Sequence, residues 1–376
     1  MSEVPVSTPE AASTAPRRPR AIVYCDAQLG RIDGKTANGL VRHSERYEII
    51  AVIDHTQAGR DAGEVLDAEP NGILCCSDLH EAIAAAGLMP ELLIVGVAPT
   101  SGLLSSIERA VLLDAMSRGL GIVNGLHEFL NDDPEFAAAA AINDVAIVDV
   151  RRPKAKADLH MFDGSILGVA CPRIAVLGTD GAIGKRTTAT ILTRALNASG
   201  VCAVLVGTGQ TSLIQGARHG VALDAVPAQF VAGELEAAVV AAFEAEDPDV
   251  IIVEGQGALS HPTYLSSTAI LRGSRPEAVI LQHAPARTTV SDFPAFSMPT
   301  PSSEIRLIET FADTKVIGLT INHENMTDSE VSAAIALYEL ELGIPATDAL
   351  TRPTDLLVEM VLAAFPELRA RTAATR

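Results

Sequence analysis

The run GTDGAIGKRTT, Gly178 to Thr188, has the make-up of an anion-binding bend. Glycines let consecutive backbone N–H groups converge on phosphate oxygens, and a helix that follows aims the positive end of its dipole at the same charge. RIAVLG ahead of it reads as a buried strand, and Ala189, Leu192, Ala195 and Leu196 recur at helical spacing until Gly200. On that reading Gly178, Thr179, Asp180, Gly181 and Gly184 shape the bend, Lys185 meets a phosphate as a point charge, and Arg186, Thr187 and Thr188 open the helix. Two departures from the usual GxxxxGK[ST] loop matter. Five residues rather than four separate Gly178 from Gly184, and Arg186 stands where a Ser or Thr hydroxyl would hold Mg²⁺. The bend is expected to grip phosphates without ordinary ATP chemistry.

Residues just past the carboxyl ends of strands line the ligand crevice of an open α/β sheet. GTGQT (207–211), EGQGALSHP (254–262), HAPAR (283–287) and INHEN (321–325) each follow an apolar run directly. Glu254 is placed to hold a metal, orient an amine or accept a proton. An imidazole ordinarily titrates near neutrality, so His261 and His283 are candidate bases, although a structural histidine bonded to backbone satisfies the same pattern. Gln210, Gln256, Arg287 and Lys35 are candidate substrate-binding residues, an arginine fork being the usual partner of a carboxylate. Arg272 and Arg275 lie near the same loops. No HExxH or GxSxG pattern is present, and no metal site is expected.

These loops need sheets behind them. Strand signals at 21–25, 48–54, 91–97 and 121–124, with helical patterns opening at GKTANGLVRH and at 103–118, predict a doubly wound parallel sheet, Rossmann-like in layout. It lacks the dinucleotide fingerprint, although Asp54 ends the second strand where a ribose-binding acid would sit. Beyond a charged, aperiodic stretch beginning DVRRPKAKADLH, a second alternation runs from strand 173–178 to helix 354–364. The expected organisation is a disordered tail (1–20), a Rossmann-like domain (21–150), a linker (151–172) and a phosphate-loop domain (173–376). The fold class is therefore α/β, two doubly wound parallel-sheet domains, the second similar to P-loop NTPases. The 376 residues are 48% apolar and 3% aromatic, so Ala, Val, Leu and Ile must build the cores.

A formal charge of −19 argues against nucleic acid and anionic membrane as partners. The cysteines Cys25, Cys75, Cys76, Cys171 and Cys202 show no CxxC spacing, which suits a reducing, cytoplasmic setting. No apolar run reaches membrane-spanning length. Ala-rich helices with flat faces suit a homodimer or homotetramer.

As a set, GKTANGLVR, VIDHTQAGRDAG, GTDGAIGKRTT, GTGQT, VEGQGALSHP and HAPAR resemble a bacterial and archaeal family with a Rossmann-like N-terminal and a P-loop C-terminal domain. The likeness runs from about Ala21 to about Ala364. The family's characterised branch consists of D-glutamate N-acetyltransferases that take the acetyl group from acetyl-CoA. The resemblance implies acetyl-CoA as co-substrate and an amino acid, most of all D-glutamate, as acceptor. The pyrophosphate and 3′-phosphate of coenzyme A suit the bend, and acyl transfer needs no γ-phosphate chemistry. Glu254, His261 or His283 would deprotonate the amine, and Arg287 or Lys35 would meet the acceptor's carboxylates. Two other readings stand beside it: an ATP-dependent ligase or carboxylase similar to dethiobiotin synthetase, using ATP and Mg²⁺, and a non-catalytic nucleotide-dependent regulatory protein.

Overall fold

The first sheet consists of β1 (Arg20–Tyr24), β2 (Glu48–Ile53), β3 (Leu74–Cys76), β4 (Leu92–Val95), β5 (Gly121–Asn124) and β6 (Ile147–Asp149), all parallel in the spatial order β3-β2-β1-β4-β5-β6. Helices α1 (Lys35–Arg42), α2 (Ala62–Asp67), α3 (Leu79–Ala85), α4 (Ser106–Ser117) and α5 (Pro134–Asn143) connect the strands. Local chemistry fixes where several of them begin: Asp61, Asp78 and Asp133 accept first-turn amides, and Ser105 with Glu108 forms a reciprocal capping box. The computed structural model describes residues 17–99, 101–291 and 293–369. Of the expected tail, residues 1–16 lie outside that range, whereas Arg17 forks onto Glu91 and Arg20 already belongs to β1.

The second sheet follows β7 (Arg173–Gly178), β8 (Ala203–Gly207), β9 (His219–Gly220), β10 (Val250–Glu254) and β11 (Ala278–His283), then a short antiparallel hairpin of β12 (Thr289–Val290) and β13 (Phe293–Ser297), then β14 (Lys315–Ile321) and β15 (Ala346–Thr347). Its order, β15-β14-β11-β7-β10-β8-β9, puts β7 in the centre, with β10 and β11 beside it. RIAVLG, VIIVE and AVILQH are buried along their whole length, because helices cover both faces of a parallel sheet. The helices of this domain are α6 (Lys185–Ala198), α7 (Gln210–Gln215), α8 (Val231–Glu246), α9 (Ser266–Ser274), α10 (Pro301–Phe311), α11 (Asp328–Leu342) and α12 (Asp355–Ala364). The stretch 151–172 is more than a linker. Ile166, Val169 and Cys171 enter the second core, while backbone amides of His160, Asp163, Gly164 and Ile166 bond Glu234 and Glu236 of α8.

The domains dock through α7, which covers the carboxyl edge of the first sheet. Ile214 is fully buried in a core it shares with Cys25, Ala37, Leu40 and Val123 of the N-terminal domain. Thr211 and Thr36 share a buried hydrogen bond of 2.9 Å, and Gln215 donates to the carbonyls of Gly39 (2.6 Å) and His43 (2.8 Å). The approach is close at Gly125, where a Cβ would stand 3.1 Å from Ile214 Cδ1 and 3.2 Å from Gln210 Cγ and would push on both side chains. A protein helix thus fills the place where an open sheet usually binds its ligand. Asp54 is correspondingly structural, accepting from the amides of Leu29 and Thr56. Replacing Ile214 with Ala removes the plug's buried side chain, and a loss of about 2–5 kcal/mol in urea-unfolding stability is expected, with the two domains melting further apart in calorimetry. An unchanged, single transition would show that the seam contributes little.

Candidate active site at the domain seam

Between β7 and α6 the backbone turns through Gly184 at φ +101°, a left-handed conformation that glycine adopts without penalty, and through Ala182 at φ +48°. The resulting bend leaves the amides of Ala182 through Thr187 with no hydrogen-bond acceptor among the described residues. Converging, unsatisfied amides at the start of a long helix are an anion cradle. Side chains brace the outside. Arg287 donates to the carbonyls of Gly181 (2.9 Å) and Ala182 (3.2 Å), to Asp180 Oδ2 (2.9 Å) and to both oxygens of Glu324. Asp180 also accepts from the amides of Gly181 and Ser291. Arg287, expected to meet a substrate carboxylate, is therefore committed to holding the loop.

Lys185 is buried at the first turn of α6, and its Nζ donates to the carbonyl of Asp180. Burial pushes its pKa down to about 8, opposed by the charges of Asp180 and Glu254 and reinforced by those of Arg287 and Lys35. Thr188 faces inward, donating to Gln282 Oε1 at 2.6 Å, and the Thr179 hydroxyl lies 2.8 Å from His283 Nδ1. Both support the loop from below. Burial lowers the His283 pKa to about 4, so the ring is neutral at neutral pH, packed edge-on to Tyr338. His261 Nδ1 accepts from the amides of Thr263 and Tyr264, and its Nε2 lies 3.9 Å from Asp180 Oδ1.

Glu254 ends β10 beside the bend. Its Oε2 accepts from the amides of Thr208 (2.8 Å) and Gly209 (3.1 Å), while Oε1 makes no hydrogen bond among the described residues. One oxygen is thus anchored and the other is available. Gln256 donates to the Thr208 carbonyl, and the stem of Gln210 packs against Gly125 in the seam. Arg186 does not fall where a Mg²⁺ ligand would; its guanidinium crosses to α1, 3.5 Å from the Lys35 carbonyl and against Gly39. Lys35, exposed at the first turn of α1, is brought close enough to Lys185 for the two charges to repel. Arg272 instead lies over the Phe311 ring and Arg275 caps α9. The bracing roles of Ser291 and of the Thr208–Gly209 amides carry no signal in the sequence.

Other polar clusters are separate from this arrangement. Asp26, Asp54 and His55 approach within 4.8 Å of one another, but their ligand atoms are taken up by loop hydrogen bonds. A cavity of about 260 Å³ further along α6 is lined by His43, Arg194, Ser212 and Gln215 among others, with no residue of the bend. Among the described residues no helix is long and apolar enough to cross a membrane. Because Lys185 is cationic only below about pH 8, affinity of the cradle for inorganic pyrophosphate is expected to fall as pH rises through that value. Calorimetric titration between pH 6.5 and 9.5 checks it, and a Lys185→Met variant should bind weakly with a flatter profile.

Comparison with known proteins agrees with this two-part architecture. Residues 55–153 match the family model "Domain of unknown function (DUF1611_N) Rossmann-like domain", and residues 160–358 match "Domain of unknown function (DUF1611_C) P-loop domain". A D-glutamate N-acetyltransferase of Tritonibacter scottomollicae is 32% identical over 293 residues, 76% of this chain and 84% of that protein. A protein of the same name from a Pseudoalteromonas species is 28% identical over 281 residues, 73% of this chain and 82% of that one. The crystal structure of a DUF1611 family protein from Anabaena variabilis superposes with a TM-score of 0.84 at 30% identity, covering 92% of this chain and all of that one. The chain belongs to the DUF1611 family, built from a Rossmann-like N-terminal domain and a P-loop C-terminal domain.

Proposed function

We propose that this protein is an N-acetyltransferase that moves the acetyl group of acetyl-CoA to the amino group of D-glutamate, the substrate in the names of its curated relatives. The observation that carries the reading is the pairing of a phosphate cradle that has Arg186 in place of a Mg²⁺-binding hydroxyl with a carboxylate, Glu254, anchored through one oxygen only. The amides of Ala182 to Thr187 and the Lys185 ammonium bind the diphosphate of coenzyme A. Glu254 Oε1 takes a proton from the acceptor's ammonium, and the freed nitrogen attacks the thioester carbonyl carbon. The C–S bond then breaks, the sulfur leaves as thiolate and is protonated, and one further proton goes to solvent. The products are the N-acetyl amino acid and free coenzyme A.

Glu254 is the base that this geometry favours over the two histidines. His261 accepts backbone amides at Nδ1, and His283 Nδ1 is engaged with Thr179. Thiol release from acetyl-CoA with D-glutamate is expected to proceed in the presence of EDTA. Glu254→Gln should lower kcat by about 10²–10⁴-fold with acetyl-CoA affinity little changed. Phosphate release from ATP and Mg²⁺ on adding an amino acid, without thiol release, would instead identify an ATP-dependent ligase.

A further inference from the structure

Resting on the reading above, we propose that Arg186 is the residue that recognises the α-carboxylate of the amino-acid acceptor and orients its amine toward Glu254. The position that would hold Mg²⁺ in a nucleotide hydrolase has become a specificity determinant.

Arg186 belongs to the first turn of α6, yet its side chain runs away from the bend and into the seam between the domains. Its guanidinium has five N–H donors, of which only one is used among the described residues, in a long 3.5 Å bond to the Lys35 carbonyl. A Cβ at Gly39 would stand 2.5 Å from Nη2, so α1 approaches the guanidinium where no other residue would fit without displacing it. Burial disfavours its charge, and Glu254 is the acid whose field supports that charge, though the two form no ion pair. An under-bonded guanidinium held apart from an anchored carboxylate with one open oxygen is complementary to a zwitterion. A carboxylate takes the fork, and the adjacent ammonium takes Glu254 Oε1. The donor need not call on Arg186, because Lys185, the preceding residue, supplies a cation at the bend, where it bonds the Asp180 carbonyl.

The experiment compares three acceptors with wild-type enzyme, Arg186→Gln and Arg186→Lys. D-glutamate carries both carboxylates, D-2-aminobutyrate keeps only the α-carboxylate, and 4-aminobutyrate keeps only the distal one. Arg186→Gln should raise KM for D-glutamate and D-2-aminobutyrate about ten- to a hundred-fold, the scale of a lost charge-assisted hydrogen bond. It should leave the weaker turnover of 4-aminobutyrate within about two-fold and acetyl-CoA affinity unchanged. Arg186→Lys, which keeps the charge and loses the fork, should fall between the two. Equal losses on all three acceptors, or a loss confined to acetyl-CoA binding, would overturn the assignment and make Arg186 a support of the seam or of the donor. No wild-type turnover of D-glutamate would instead remove the acetyltransferase reading itself. If Arg186→Gln fails to fold, the Arg186→Lys profile alone carries the comparison.

Discussion

A run of backbone amides from Ala182 to Thr187 that the fold leaves without acceptors among the described residues is the constraint on which the candidate site depends. Unpaired amides are costly unless a ligand or water meets them, and here they converge at the N-terminus of α6, where the helix dipole adds positive potential. Their arrangement is not left to the loop. Arg287 ties two loop carbonyls and Asp180 to Glu324, Ser291 adds an amide, and Gln282 anchors Thr179 and Thr188 underneath. Charged and neutral groups together hold the bend, so its amides are positioned before any ligand arrives.

The N-terminal domain contributes a wall rather than a second nucleotide site. Its sheet has the layout that binds dinucleotides elsewhere, but α7 occupies the crevice with Ile214, Thr211 and Gln215. That docking brings α1 against α6, so Gly39, Lys35 and Arg186 face one seam and Glu254 lies at its edge. Two folds that each resemble a nucleotide binder thereby meet along a single seam.

Much of this was legible in the residue pattern. Continuous apolar runs marked β7, β10 and β11, because strands buried on both faces cannot alternate; helical spacing after Lys185 marked α6. The short strands β3 and β6 went unread, since three residues carry no periodicity. GTGQT read as a loop although α7 begins at Gln210, and only its tertiary contacts with α1 explain a helix of six residues there. The bend between β7 and α6 was plain from its glycines. The work of Arg287 was not, because charge at a strand's end fits a ligand partner and a brace equally well, and only distances to Gly181, Ala182, Asp180 and Glu324 tell them apart.

The most direct test is a crystal structure of the protein with coenzyme A, grown in the presence of EDTA. The account requires the diphosphate to lie on the amides of Ala182 to Thr187 with Lys185 turned from the Asp180 carbonyl toward it, no metal between them, and the thiol end directed to Glu254. A diphosphate lodged elsewhere, with this bend still unligated, would contradict it.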